Sequence, residues 1–341
     1  MSKTPRFLKF NKKTAHFFIS INKQGPHSFL MLGLYDQNKV QHVLCRVGKF
    51  GDGIENPNFL FSLRFVCNSL FFANDAHLED EGISRSCKDA RSITYQAYDI
   101  TYEQYLEFVR ILESLQSSNN KFKCYKPCKS PSITNSDAVT LEFTDEKRLL
   151  LPINTELLKT HLSKLNISNT CRHSAIELVE AIQHTHISSS VSSSFFVNLP
   201  YETVLQYGRP SEDIPFYVLP PPPTAFHESD KAKEKIIIKL YSRMENMLFL
   251  EPNSQYTQDK FLKLKELYLN IVGPQNNLSL DELLRNIHTW KEDKDNQKVL
   301  NVLRKEYFWD SLPFIKRQSA TMSLLAEVED DLATEITNRL S

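Results

Sequence analysis

Several features are scarce or missing from this chain, and each absence excludes something. Glycine is scarce, with 8 in 341 residues. None falls in a G-x-G-x-x-G or G-x-x-x-x-G-K pattern, so the backbone cradles that hold nucleotide phosphates are not expected, nor is any cofactor. Charge of one sign is not in excess: Lys plus Arg and Asp plus Glu stand at 41 each, which provides no global field toward nucleic acid or an anionic membrane. No nucleic-acid partner is expected. No apolar run reaches the roughly 18 residues of a membrane helix, and the longest, 59-FLFSLRFVCNSLFF-72, is interrupted by Arg64 and Asn68. We therefore expect no integral membrane span. The N-terminal MSKTPRFLKFNKKTAHFFISI is basic but has neither the apolar length nor the small-residue cleavage site of a Sec signal. The 6 cysteines, at positions 45, 67, 87, 124, 128 and 171, form no dense framework, which points to reduced thiols in a cytoplasmic setting. Cys124 and Cys128 form C-x3-C without a second ligand pair at finger-like distance, and His184 and His186 lie beyond the cysteine helix. No metal site is expected on that pattern.

What is present is ordinary globular chemistry, 41% hydrophobic and 24% charged, with a change of character part-way along. The stretches 15-AHFFISI-21, 27-HSFLMLGLY-35 and 40-VQHVLCRVGKF-50 are runs of apolar, aromatic and β-branched residues, separated by turn residues, and predict consecutive antiparallel strands with DQNK as a hairpin turn. A further strand is expected at 91–100. An amphipathic helix follows at 102–116, with Asp99 or Thr101 as its cap. The composition at 117–137 is that of a loop, 139–153 reads as a hairpin, and 195–208 is strand-like. The run 219-LPPPPT-224 neither continues a helix nor donates to a sheet, and marks a boundary. Beyond it, helical periods at 229–250, 257–272, 279–308 and 318–340 predict an all-helical part. The expected organisation is an α+β domain over 1–218, a Pro-rich linker over 219–228 and a helical domain over 229–341.

The stretch 168-SNTCRHSAIELVEAIQ-183 places Cys171 where a polar loop becomes a helix. Unpaired first-turn amides and the positive end of the helix dipole favour a thiolate there, and the same amides can serve an oxyanion. The bland alternative is a buried packing thiol, since free cysteine is among the most buried residue types. A thiolate nucleophile needs an imidazole partner held in one tautomer. His27 and His42, on neighbouring predicted strands, are the candidates. If the turn centres on Gln37 and Asn38, residues 33 and 42 stand opposite each other. Each histidine also has a plain reading, His27 as a solvated turn residue and His42 as a core histidine beside Val40 and Leu44. His173 reads as a helix-surface residue, and Asp99 as a cap before a partner to a catalytic histidine.

The order of these elements, GPHSFLMLG with its His27, His42 on the next strand, and far downstream Cys171 in N-x-C-x-H, resembles the circularly permuted papain-like thiol enzymes of the lecithin retinol acyltransferase and NlpC-related type. The resemblance spans roughly residues 15 to 200. It implies a small antiparallel sheet packed on the cysteine helix, with Cys171 as nucleophile, His27 as base and His42 orienting it. His173 falls on the helical histidine of the family motif. Two departures stand out: Thr170 intervenes between Asn169 and the cysteine, and Arg172 occupies the place of an acidic residue.

The C-terminal block with Glu327, Glu329, Asp330, Asp331 and Glu335 resembles the export signals of type IV secretion effectors of intracellular bacteria. That resemblance implies a protein that is cytoplasmic in the producing cell and secreted into a host. Together these readings predict a cysteine-dependent hydrolase or acyltransferase acting on an amide, isopeptide or ester of a host protein or lipid, with the helical domain as a partner-binding module. The competing expectation is a non-catalytic binding scaffold, which has no reason to hold His27 within reach of Cys171.

Overall fold

The computed structural model describes residues 5–51, 73–82, 90–118, 120–128, 137–149, 155–187, 191–226, 230–273, 278–303 and 318–340. The apolar run at 59–72, Cys67 and Cys87 lie outside them. The chain divides into two compact units, Met1–Pro221 and Pro222–Ser341.

The first unit is α+β. Its strands are β1 (Phe7–Asn11), β2 (His16–Gln24), β3 (His27–Asp36), β4 (Lys39–Gly51), β5 (Asn74–Asp80), β6 (Arg91–Ile100), β7 (Cys124–Pro127), β8 (Ala138–Thr144), β9 (Lys164–Leu165), β10 (Tyr201–Gln206) and β11 (Arg209–Pro210). Its helices are α1 (Tyr102–Leu115), α2 (Glu156–Leu162) and α3 (Cys171–Gln183). An eight-stranded sheet runs β11-β10-β6-β2-β3-β4-β5-β9, with antiparallel pairings throughout, and a three-stranded sheet runs β1-β8-β7. Of the hairpin expected at 139–153, residues 145–149 form no strand and 150–153 lie outside the described residues. β8 instead pairs with β1 and β7, the second of which lies in the stretch read as loop. Thr101, not Asp99, caps α1, in a reciprocal capping box with Gln104.

The two central strands are buried along nearly their whole length, because both faces of the sheet are covered. Phe17 stacks on Tyr105 of α1, with ring centroids 5.7 Å apart, while its neighbour Phe18 meets Phe216 on the opposite face at 5.1 Å. This double burial explains why β2 and β3 read as continuous apolar runs instead of alternating ones. The β3–β4 ladder pairs Leu34 with His42 and Gly33 with Val43. Register shifts between Leu32 and Gly33 and between Leu34 and Tyr35 displace the pairing by one residue from the expected 33-to-42 match.

The second unit is helical in its described residues: α4 (Lys231–Leu250), α5 (Gln255–Val272), α6 (Leu280–Glu292), α7 (Lys294–Leu300) and α8 (Ala320–Leu340). The period expected over 279–308 is broken at Asp293, which ends α6 and caps α7 with its side chain. Met244, Leu264, Ile287, Leu325, Val328 and Leu332 form its core, each essentially inaccessible. The acidic face of α8 is engaged on its neighbours. Lys239 contacts Glu327 at 2.5 Å and Asp331 at 2.7 Å, and Glu329 takes His288 at 2.9 Å together with Lys291. No helix of the described residues is long and apolar enough to cross a membrane.

Candidate active site

Thr170, in extended backbone, is the N-cap of α3 and makes Cys171 its first residue. His173 closes the turn: its Nδ1 accepts from the Thr170 amide at 3.2 Å. That ties His173 to the cap, and burial holds its pKa below the usual histidine value. Capping leaves the Cys171 sulfur at the mouth of the helix, half-buried.

The sheet meets the sulfur at the end of a ladder. Pairing between β3 and β4 begins at Phe29 and Gly48, so Ser28, one residue earlier, has no β4 partner in register. Its backbone N–H instead donates to Cys171 Sγ at 3.2 Å. His27, one residue earlier again, is close enough to Cys171 for each side chain to shift the other's proton equilibrium. Its Nε2 faces Glu81 Oε1 at 2.5 Å. The ring packs beside Phe29 and Phe50, with centroids 6.0 and 4.9 Å away. The histidine side chain keeps 28% of its surface, whereas Glu81 keeps 4%. The imidazole can therefore exchange protons with a bound molecule, while its carboxylate partner cannot.

Glu81 is fixed from behind. Its Oε2 accepts from Arg46 at 3.2 Å, and the Arg46 guanidinium lies over the Phe29 ring at 4.6 Å. Gly48 makes room for the pair: a Cβ there would stand 2.2 Å from Glu81 Oε1 and 2.8 Å from His27 Nε2. Glycine weakens a strand interior, and its use in β4 marks this close approach.

On the helix side two buried cations hold the backbone around the sulfur. Lys49 donates to Asn169 Oδ1 at 2.9 Å and to the His161 carbonyl at 3.1 Å, pinning the turn that delivers Cys171. Burial pulls the Lys49 ammonium down to about 8, against the opposing charges of Glu177 and Cys171. Arg172, fully buried, donates from Nε to Ser28 Oγ at 2.9 Å, and from Nη1 and Nη2 to the carbonyls of Ser192 and Val197 at 3.1 and 3.2 Å.

These contacts set the charge state. Burial alone pushes the Cys171 thiol up. The hydrogen bonds from His27, the Ser28 amide and the Arg172 amide outweigh it, and the pKa falls below the ordinary thiol value. Burial likewise opposes the His27 cation, but Cys171 and Glu81 together raise it to about 9. Both shifts favour the thiolate and imidazolium form of the pair, the arrangement that makes a cysteine nucleophilic with a proton donor in place.

Of the residues singled out in the sequence, His27 and Cys171 are thus brought together and His42 is not. His42 lies near the β3–β4 turn, opposite Leu34, where burial and the nearby Arg209 lower its pKa. The two histidines sit at opposite ends of one ladder, so the orienting place expected for His42 is taken by Glu81. Asp99 accepts from the Tyr35 hydroxyl. Cys45 and Cys124 are buried, whereas Cys128 is exposed. Among the described residues no group of three or more His, Cys, Asp or Glu is placed to hold a metal ion. Glu81, Arg46 and Lys49 were missed in the sequence. Glu81 sits in 79-EDEG-82, which reads as a solvated acidic turn, and the one usable signal was Gly48 between Val47 and Lys49 inside a predicted strand. Comparison with known protein families, curated proteins and solved structures finds no match for this chain.

Proposed function

We propose that the first unit is a thiol enzyme, a hydrolase or acyltransferase of amides, isopeptides or esters, with a circularly permuted papain-like arrangement. The observation that carries this reading is the His27 ring, engaged by the Cys171 sulfur on one side and by a buried, arginine-backed carboxylate on the other. A binding scaffold has no use for that alignment.

In the proposed reaction the Cys171 thiolate attacks the substrate carbonyl, forming an S–C bond and an oxyanion. The Ser28 and Arg172 amides, which already donate to the sulfur, and the Cys171 amide, with no intrahelical acceptor at the first helical position, are the donors nearest that charge. As the tetrahedral species collapses, the C–N or C–O bond breaks and His27 gives its proton to the departing nitrogen or oxygen. A thioester is left on Cys171. His27, now neutral, takes a proton from water or an acceptor nucleophile, which attacks the thioester; the C–S bond breaks, the acyl product leaves, and thiolate and imidazolium are restored. Glu81 holds the tautomer and stabilises the imidazolium throughout. We place the substrate in a host protein or lipid and the chain among exported effectors, a setting carried by the acidic C-terminal block alone.

The test is acyl transfer from a small activated ester such as p-nitrophenyl acetate. The expected result is an acetyl thioester on Cys171, seen by intact mass and cleaved by hydroxylamine, absent from C171A and slow to form in H27N. Acetylation confined to lysines, or equal in C171A, overturns the reading.

A further inference from the structure

Arg172 is the largest fully buried side chain of the described residues and keeps 0% of its surface. A buried guanidinium has to be compensated, because burial removes its hydration and it cannot discharge by losing a proton. The acceptors it has are neutral: the Ser28 hydroxyl and the carbonyls of Ser192 and Val197. Among the described residues no carboxylate pairs with it. Its position adds to the cost, since the first turn of a helix is the positive end of the dipole and disfavours a cation. Arg46, the other buried guanidinium of the site, has Glu81 at 3.2 Å. The anion adjacent to Arg172 is the sulfur of the preceding residue, and the charge of Cys171 acts to favour its protonated state.

We infer that Arg172 is a positioning residue whose buried charge holds Cys171 as a thiolate, and that it aims the Ser28 amide at the sulfur through its bond to the Ser28 hydroxyl. The inference rests on the reading of Cys171 as a nucleophile and adds what sets its charge. His27 can give its proton away during turnover, and Arg172 cannot. It therefore supplies a constant field that favours return of the sulfur to the anionic state when the thioester is released. Its other two bonds attach the backbone of Ser192 to Val197 to the same charge. That loop presents Phe196, 77% exposed, and Val197, 49% exposed, so an apolar surface is fixed beside the site through the residue that tunes it.

The test is the pH dependence of Cys171 carbamidomethylation by iodoacetamide, followed by peptide mass in the full chain. In the wild type the thiolate persists to pH values below the ordinary thiol range. In Arg172→Gln the titration moves up, each unit slowing alkylation at pH 6 about tenfold, and Arg172→Lys restores most of the shift because it keeps the charge. A purely structural role would instead lower stability in both variants with the titration midpoint unmoved, and that outcome overturns the inference. Should Arg172→Gln fail to fold, the same coupling is read from the other partner. Compared in an H27N background, so that the loss of the His27 partner does not contribute, Cys171→Ala removes the anion and is expected to lower the melting temperature at pH 8, with a narrower gap at pH 5, where more of the thiol is protonated; equal melting at both pH values counts against Arg172. A wild-type Cys171 that titrates as an ordinary thiol overturns this inference and the proposed function together. A normal wild-type thiolate that is unmoved in Arg172→Gln overturns this inference alone.

Discussion

At the scale of single residues, the account depends on how one imidazole is shared. Glu81 and Cys171 both stabilise the charged ring, against the opposing effect of burial, and hold His27 near 9. Because the folded state binds this proton more tightly than the ordinary histidine value of 6.5 implies, the His27 proton contributes stability that is complete below about 6.5 and is lost as pH rises through about 9, while the lowered Cys171 thiol contributes in the opposite sense, stability lost as pH falls. In C171A, where the thiol no longer titrates and Glu81 still raises His27, urea unfolding is accordingly expected to weaken as pH rises above the ordinary histidine range, and in C171A/H27N that slope is expected to vanish; an unchanged slope contradicts the assignment. Glu81→Gln keeps a hydrogen-bonding group but removes the charge. Turnover of an activated ester should fall about 10²- to 10⁴-fold, the usual worth of a general acid–base, and the alkaline limb should move down toward the ordinary histidine range. The same change removes the Glu81 charge beside Arg46, only 3% exposed, so a loss of stability is expected alongside. His42 provides the control: its ring is remote from the sulfur along the ladder, and H42A is expected to leave the rate and pH profile of Cys171 alkylation unchanged.

At the scale of elements, the site is made where two pieces of secondary structure end. A helix begins at Cys171 and a strand ladder stops at Phe29. The helix start was legible in 168-SNTCRHS-174, and the strands at 15–50 were legible from their apolar runs, because local chemistry decides both. The place of β5 was not legible. Its residues 74-NDAHLED-80 are polar and acidic, and nothing local tells that Glu81, at its end, is carried under His27. β7 was hidden too: CYKP lies in a stretch of loop composition and becomes a strand only because β8 offers an edge. The one-residue error in the β3–β4 register had the same source, since bulges follow from packing and not from turn chemistry. Gly48 joins the two levels. Gly48→Ala puts a methyl group where Glu81 and His27 meet, and we expect an unchanged far-UV spectrum with a loss of turnover comparable to that of Glu81→Gln. Full activity in that variant would mean that the close approach is not maintained in solution.

At the scale of the whole molecule, every residue of the candidate site belongs to the unit Met1–Pro221, and the helical unit Pro222–Ser341 has a core of its own. Cutting the chain at a protease site engineered after Pro222 should therefore leave the rate of Cys171 alkylation unchanged; a drop would make the helical unit part of the reactive centre. The division itself was visible in 219-LPPPPT-224, since a proline run ends both kinds of regular structure whatever surrounds it. The acidic residues of the last helix have a structural use that sequence did not show: Glu327, Glu329 and Asp331 are paired with Lys239, Lys291 and His288, so charge that resembles an export signal joins helices. What the molecule does depends on whether the sulfur at position 171 is an anion held by His27. The most direct measurement is the thiolate absorbance near 240 nm, titrated from acid to alkaline pH in wild type, C171A and H27N. A Cys171-dependent signal already present at neutral pH in the wild type, and displaced to alkaline pH in H27N, is the predicted result. A signal that rises only at ordinary thiol pH, and equally in H27N, would contradict the account.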